Sequence, residues 1–159
     1  MKNWEQRPAE IANLLNPPFC AEVIRNSIYS YDKESNLQIP YPLLYLILPI
    51  VLHKKTRDLI KPRSRMNTWL LNNQHLRIGF AKRAESLVPI STEAIIFLFH
   101  TNSIIIDGEA RLKVTHETFD YSLCDEEVLD CFKKAGILGK WFSNAGSPAS
   151  IYTMWGVQP

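Results

Sequence analysis

Apolar residues recur with helical spacing along most of the first hundred positions, and the period shortens only near residue 103. Pro8 opens a helix predicted over 8–15, with Ile11, Leu14 and Leu15 on one face. Asn16 and Pro17 then have the chemistry of an N-cap and a first helical residue. Cys20, Val23, Ile24, Ser27, Ile28 and Tyr31 follow at i, i+3, i+4, i+7, i+8 and i+11, the stripe of an amphipathic helix. After the polar loop DKESNLQ comes a run, 40–52, that is apolar nearly all round. Such a run reads as a helix buried on every side, with Pro42 in its first turn and Pro49 kinking or ending it.

The next predicted helices cover 64–73, with Met66, Trp69 and Leu70 together, and 76–87, with Phe80, Ala84 and Leu87 on one face. Pro89 closes the latter, and Ser91 or Thr92 can cap a further helix over 92–101. Residues 103–114 then read as two short strands around Asp107-Gly108, a pair that favours a two-residue type I′ turn. SLCDEEVLDCFKKAG, 122–136, is a helix with Asp125, Glu126 and Glu127 at its positive end, Lys133 and Lys134 at its negative end, and Gly136 just past it. A short helical stretch holds Leu138, Trp141 and Phe142, and SIYTMWGV, 150–157, reads as a strand able to join the hairpin. The expected architecture is α+β and mostly α-helical. It is a single domain over 1–159, mainly helical to 101, with a small antiparallel sheet near the C-terminus. A helix, a hairpin and a final strand are the parts of a winged-helix-like unit.

Composition removes several classes of function. The run 40–52 falls short of the roughly 20 apolar residues a spanning helix needs. The first residues carry no apolar signal segment, and the three cysteines have no CxxC spacing, so a reducing, cytoplasmic setting is expected. No phosphate-binding loop is present: GILGKW at 136–141 lacks both the spacing and the Ser/Thr. No GxSxG, HExxH or DxDxG occurs, and His53, His75, His100 and His116 are scattered. The expectation is a non-enzymatic protein with no catalytic residue, metal or cofactor.

Charge is what distinguishes the chain. Net charge is +2, divided as −1 over residues 1–52, +8 over 53–83 and −5 over 84–159. The middle block holds Lys54, Lys55, Arg57, Lys61, Arg63, Arg65, Arg77, Lys82 and Arg83 against the single acid Asp58. It reads as a solvated face, as a surface for DNA phosphates without sequence preference, or as a dock for an acidic partner. The helix ahead of the hairpin, STEAIIFLFHTN, offers almost no polar readers of base edges. Trp141, Phe142, Tyr152 and Trp155 are either core or a partner interface.

The stretches RPAEIANLLNPPFC at 7–20, PYPLLYLILPIVLHKKTRDLI at 40–60, FAKRAESLVPISTEAIIF at 80–97 and LGKWFSNAGSPASIYTMWGVQP at 138–159 are not catalytic signatures. In their order they resemble the middle-component family of three-component ABC-ATPase systems, which are anti-phage conflict modules. Pro18 stands where that family favours alanine after the Asn-Pro pair. The resemblance implies an adaptor in a hetero-oligomer, with an ABC-type ATPase subunit and a third component as its partners. The competing reading, from the hairpin and the basic block, is a stand-alone winged-helix DNA-binding protein.

Overall fold

The computed structural model describes residues 15–116 and 120–158. The helix expected over 8–15 lies outside the described residues except for Leu15. α1 spans Pro17–Ser35. The Asn16 carboxamide oxygen caps it by accepting from the Phe19 N–H at 2.8 Å, and Asn36 ends it in the left-handed region at φ 55°. β1 is Ile39–Pro40, followed by a 3-10 turn at Tyr41–Leu43 and by α2, Leu44–Val51. Every α2 residue except Tyr45 is buried, and Pro49 sits inside the last turn without ending the helix early.

α3 is Lys54–Leu59 and α4 is Met66–Asn72, with a 3-10 turn at Gln74–Arg77 leading on. α5 then runs without interruption over Phe80–His100. This corrects the division expected at Pro89. The buried positions Phe80, Ala84, Ser91, Ala94, Ile95 and Leu98 form one stripe across the proline. The proline deprives the Glu85 carbonyl of its N–H donor, and both residues are on the exposed side of the helix. Ser91 is consequently no cap: its side chain faces the core.

β2, Ile104–Ile106, and β3, Arg111–Val114, form the hairpin, but its loop is not the type I′ turn. The register pairs Ile106 with Leu112, leaving Gly108, Glu109 and Ala110 beyond the Asp107–Arg111 closure. Asp107 Oδ1 accepts from the N–H groups of Glu109 and Arg111, and Ala110, rather than Gly108, takes positive φ at 56°. A three-residue loop with a left-handed third position results. The third strand is β1, paired with β3 so that the sheet order is β1-β3-β2.

α6 covers Glu126–Asn144 and α7 covers Pro148–Trp155. Two expectations fall here. Gly136 does not terminate a helix, and Lys133 and Lys134 lie in mid-helix. SIYTMWGV is helical rather than a final strand: Ser147 caps it, Pro148 is its first residue, and Gly156 closes it at φ 74°. The strand a winged unit would add after the hairpin is thus a helix.

α1 is the spine, packed along α6 and against α5 and α2. Its closest approach to α6 is at Ser27, whose hydroxyl donates to the Ala135 carbonyl at 2.6 Å. A Cβ on Gly139 would strike the Ser27 backbone, whereas one on Gly136 would meet only the rotatable Ser30 hydroxyl at 3.1 Å. Gly139 therefore allows the crossing, and both glycines lie inside the helix. Gly139→Ala is expected to cost about 2–3 kcal/mol through overpacking against backbone. Gly136→Ala is expected to be near neutral, because a gain of about 1 kcal/mol in helix propensity offsets the adjustment at Ser30. Urea denaturation of the two variants measures the difference, and equal losses would remove this account of the crossing.

Candidate functional site

The structure divides the basic block into cations used inside the fold and cations left outside. α2 ends in the core, so its last carbonyls need donors. Arg57, 3% exposed, donates through Nη1 to the Val51 carbonyl at 3.1 Å. Its Nε bonds Asp130 at 3.1 Å and its Nη2 bonds Glu127 at 2.9 Å. Arg83 donates through Nε to the Pro49 carbonyl at 3.0 Å and lies over the Phe80 ring. Lys134, from α6, donates to the Arg57 and Ile60 carbonyls at the end of α3. Lys54 pairs with Asp58 one turn on, at 2.9 Å. His53 bonds Thr56 Oγ1 at 2.7 Å, and its pKa is lowered by burial, then by Arg83 and Lys55.

Lys55, Lys61, Arg63, Arg65, Arg77 and Lys82 remain exposed, and none forms an ion pair or hydrogen bond with a described side chain. Leu71 and Ile78, 68% and 80% exposed, stand among them in sequence. The block expected from sequence thus loses Arg57 to the interior and has Lys54 and Arg83 already partnered. The six others keep their charge at the surface.

Trp141, Phe142, Tyr152 and Trp155 are all buried in the chain's own core. Trp69 packs on Trp141 with centroids 4.9 Å apart, and Phe80 packs on Trp155 at 4.5 Å. The Tyr152 hydroxyl donates to the Pro42 carbonyl at 2.6 Å, tying α7 to the turn before α2. These side chains are packed in the core rather than displayed as anchors, which corrects the interface reading.

A cavity of about 1120 Å³ opens between the start of α1, the end of α5 and the first turns of α6, with Phe19, Leu52, Phe97, Val128 and Phe132 in its walls. Its charged groups are engaged with one another. Arg25 donates to both Glu22 oxygens at 2.8 Å and to the His116 carbonyl at 2.9 Å, and the Tyr121 hydroxyl donates to Glu22 Oε1 at 2.7 Å. Sequence reading did not find this network, whose members are about ninety residues apart. Two of the cysteines, Cys20 and Cys131, are buried. Burial, with Glu93 and Cys131 adding, pushes the Cys20 thiol from 9.0 up to about 12. Catalytic thiols are shifted the other way. Among the described residues no group of three or more His, Cys, Asp or Glu could hold a metal ion, and no helix is long and apolar enough to cross a membrane.

A mainly helical scaffold with a small antiparallel sheet is thus on view, and a sequence match covers nearly all of it. The chain belongs to the ABC-three component (ABC-3C) system Middle Component 3 family, whose sequence model matches residues 4–159. No curated protein and no solved structure matches it. The chain is thus a middle component of a multi-component system.

The buried thiol and phenol generate a pH dependence. Burial pushes Tyr152 from 10.0 up to about 12, as it does Cys20 from 9.0. Both groups are held in the neutral form by the fold, so their contribution is intact below their unfolded values and is lost as pH rises through about 9 to 12. Denaturation midpoints are expected to fall across that interval. Mass spectrometry after brief iodoacetamide treatment of folded protein is expected to show modification at half-buried Cys124 before Cys20 and Cys131. Rapid labelling of Cys20 would contradict its burial.

Proposed function

We propose that the protein is a non-enzymatic adaptor that joins the ABC-type ATPase of its system to the third component, as part of an anti-phage defence complex. The observation that carries this reading is the set of exposed cations between residues 55 and 82 that have no counter-ion among the described residues. Lys55, Lys61, Arg63, Arg65, Arg77 and Lys82 are exposed without counter-ions among the described residues. A surface of one sign raises the association rate with an oppositely charged partner and fixes its orientation. The exposure of Leu71 and Ile78 supports a protein partner. Phosphate backbone gives an exposed Leu or Ile nothing to cover it, whereas a protein face with an acidic rim and apolar patches matches both textures. The docking partner is therefore an acidic face of the ATPase. Contact with DNA backbone, if it occurs, is made by the same cations and without sequence preference.

Lys61, Arg63 and Arg65 lie in the exposed turn between α3 and α4, so their reversal to Glu leaves the core intact. Co-expression with the ATPase and the third component, followed by size-exclusion chromatography, is expected to give a complex. The triple charge reversal is expected to weaken it by about tenfold or more, each rim charge contributing several tenths of a kcal/mol to about 1 kcal/mol. Elution of the unaltered chain free of both components would sink the adaptor reading. Retention on duplex DNA in the absence of the ATPase, lost on raising salt, would transfer the face to nucleic acid.

A further inference from the structure

α5 and α6 both pack on α1, yet they scarcely touch each other. The cavity lies in the gap between them, over the first turns of α1. Its volume of about 1120 Å³ exceeds the roughly 300–1,000 Å³ that encloses a small ligand. Three helices border it, so the space has the form of a slot for one more helix, packed about 8–10 Å from its neighbours. The walls call for apolar side chains. Phe19 on α1, Phe97 on α5 and Val128 on α6 line the slot and are only half-buried, and Leu123 beside them is 96% exposed. The charges inside are already matched. Arg25 and Arg57, 7% and 3% exposed, are held by Glu22 and by Glu127 with Asp130. The mouth, by contrast, has one sign. Residues 114–132 include no Lys or Arg, and Asp125, Glu126 and Glu127 stand exposed at the start of α6. Their charge more than offsets the half-charge of the helix N-terminus.

We propose that this slot docks an amphipathic helix of another component, with apolar side chains on one face and Lys or Arg along its flank. The apolar face enters between Phe97 and Val128 and covers Phe19, in the helix-in-groove mode of recognition. The flanking cations meet the acidic mouth, which fixes the orientation of the helix and rejects an acidic one. The chain's own residues 1–14 lack that charge, since Glu5 and Glu10 balance Lys2 and Arg7. None of the six exposed cations between residues 55 and 82 lines the slot. The two surfaces are thus opposite in sign and take partners of opposite chemistry. The inference rests on the slot and its mouth and does not need the contact proposed for the cations.

The probe is a helical peptide of about 18 residues, roughly five turns, built of Leu and Lys with Leu at i, i+3, i+4 and i+7. Its control replaces every Lys by Glu. Cys124 lines the slot and is half-buried, whereas Cys20 and Cys131 are buried, so iodoacetamide labelling of Cys124 in the full chain reports occupancy. The Leu/Lys peptide is expected to protect Cys124 in a saturable way, and the Leu/Glu peptide is not. Val128→Asp adds negative charge to the apolar wall and is expected to raise the dissociation constant about tenfold or more, while Glu126→Lys raises it about two- to fivefold. Should Val128→Asp lose its helical circular dichroism, Glu126→Lys and the control peptide still decide. Reversal of Lys61, Arg63 and Arg65 to Glu is expected not to weaken the peptide, which separates this site from the cationic one. In the complex with the other components, Cys124 is expected to be labelled more slowly than in the free chain. If no complex forms, the adaptor reading falls and the peptide measurements still stand as the test. Protection by neither peptide, equal protection by both, or Cys124 labelled as fast in the complex as in the free chain would overturn the proposal. Protection that appears only after Ile11→Asp and Leu14→Asp would give the slot to the chain's own first residues and overturn it as well.

Discussion

A helix that is apolar on every face has nowhere to turn its last carbonyls, and this fold is arranged around that difficulty. α2 is placed at the centre because nothing in it can face water, and its C-terminal end is therefore sealed in with carbonyls that lack intrahelical donors. Two guanidinium groups provide the donors, Arg83 at Pro49 and Arg57 at Val51. They also bring positive charge to the negative pole of the helix dipole. Arg57 is itself held by the carboxylates of α6, so the same side chain closes α2 and fastens it to the helix that covers it. Removing either arginine leaves a buried carbonyl unpaired, a penalty of about 1–3 kcal/mol.

This explains why the most apolar stretch of the chain is followed at once by the most basic. Arg57 just beyond the oily helix, together with Arg83 returning from α5, is part of its packing. Lys55, the cations along the turn between α3 and α4, Arg77 and Lys82 have no such duty and remain outside. A formal block of +8 is thus two populations of charge with different surroundings. Only the outer population is available to another molecule, and it is on that population that the proposed adaptor role rests.

Much of the fold was legible in the sequence where the signal is local. Asn16-Pro17 gave the start of α1, and the stripe from Cys20 to Tyr31 gave its buried face. The hairpin was placed correctly by Asp107-Gly108, but its loop was not, because the Asp107 carboxylate organises the turn and moves the left-handed position to Ala110. Pro89 and Gly136 misled because their usual meaning as helix punctuation is overridden by tertiary packing: an unbroken core stripe in one case and a helix crossing in the other. α7 had a legible signature in Ser147, Pro148 and Gly156, which the aromatic and β-branched run between them obscured. β1, two residues long, has no period to detect. The division of the basic block could not be read, since the carbonyls that claim Arg57 and Arg83 belong to other elements. The sequence contained only the hint that α2 ends without a cation of its own.

The crossing of α1 and α6 at Ser27 and Ala135 joins points 108 residues apart. Until the segment beginning at Glu126 has left the ribosome, α1 lacks the surface it packs on, and the oily helix beside it lacks part of its cover. Synthesis of the segment from Glu126 onward therefore sets the moment at which the core can close. For several seconds beforehand, at about 5–20 residues per second, the nascent protein presents its most apolar segment to chaperones and to other chains. The position of α6 in the chain thus leaves the most apolar segment without its full cover until that helix has been made.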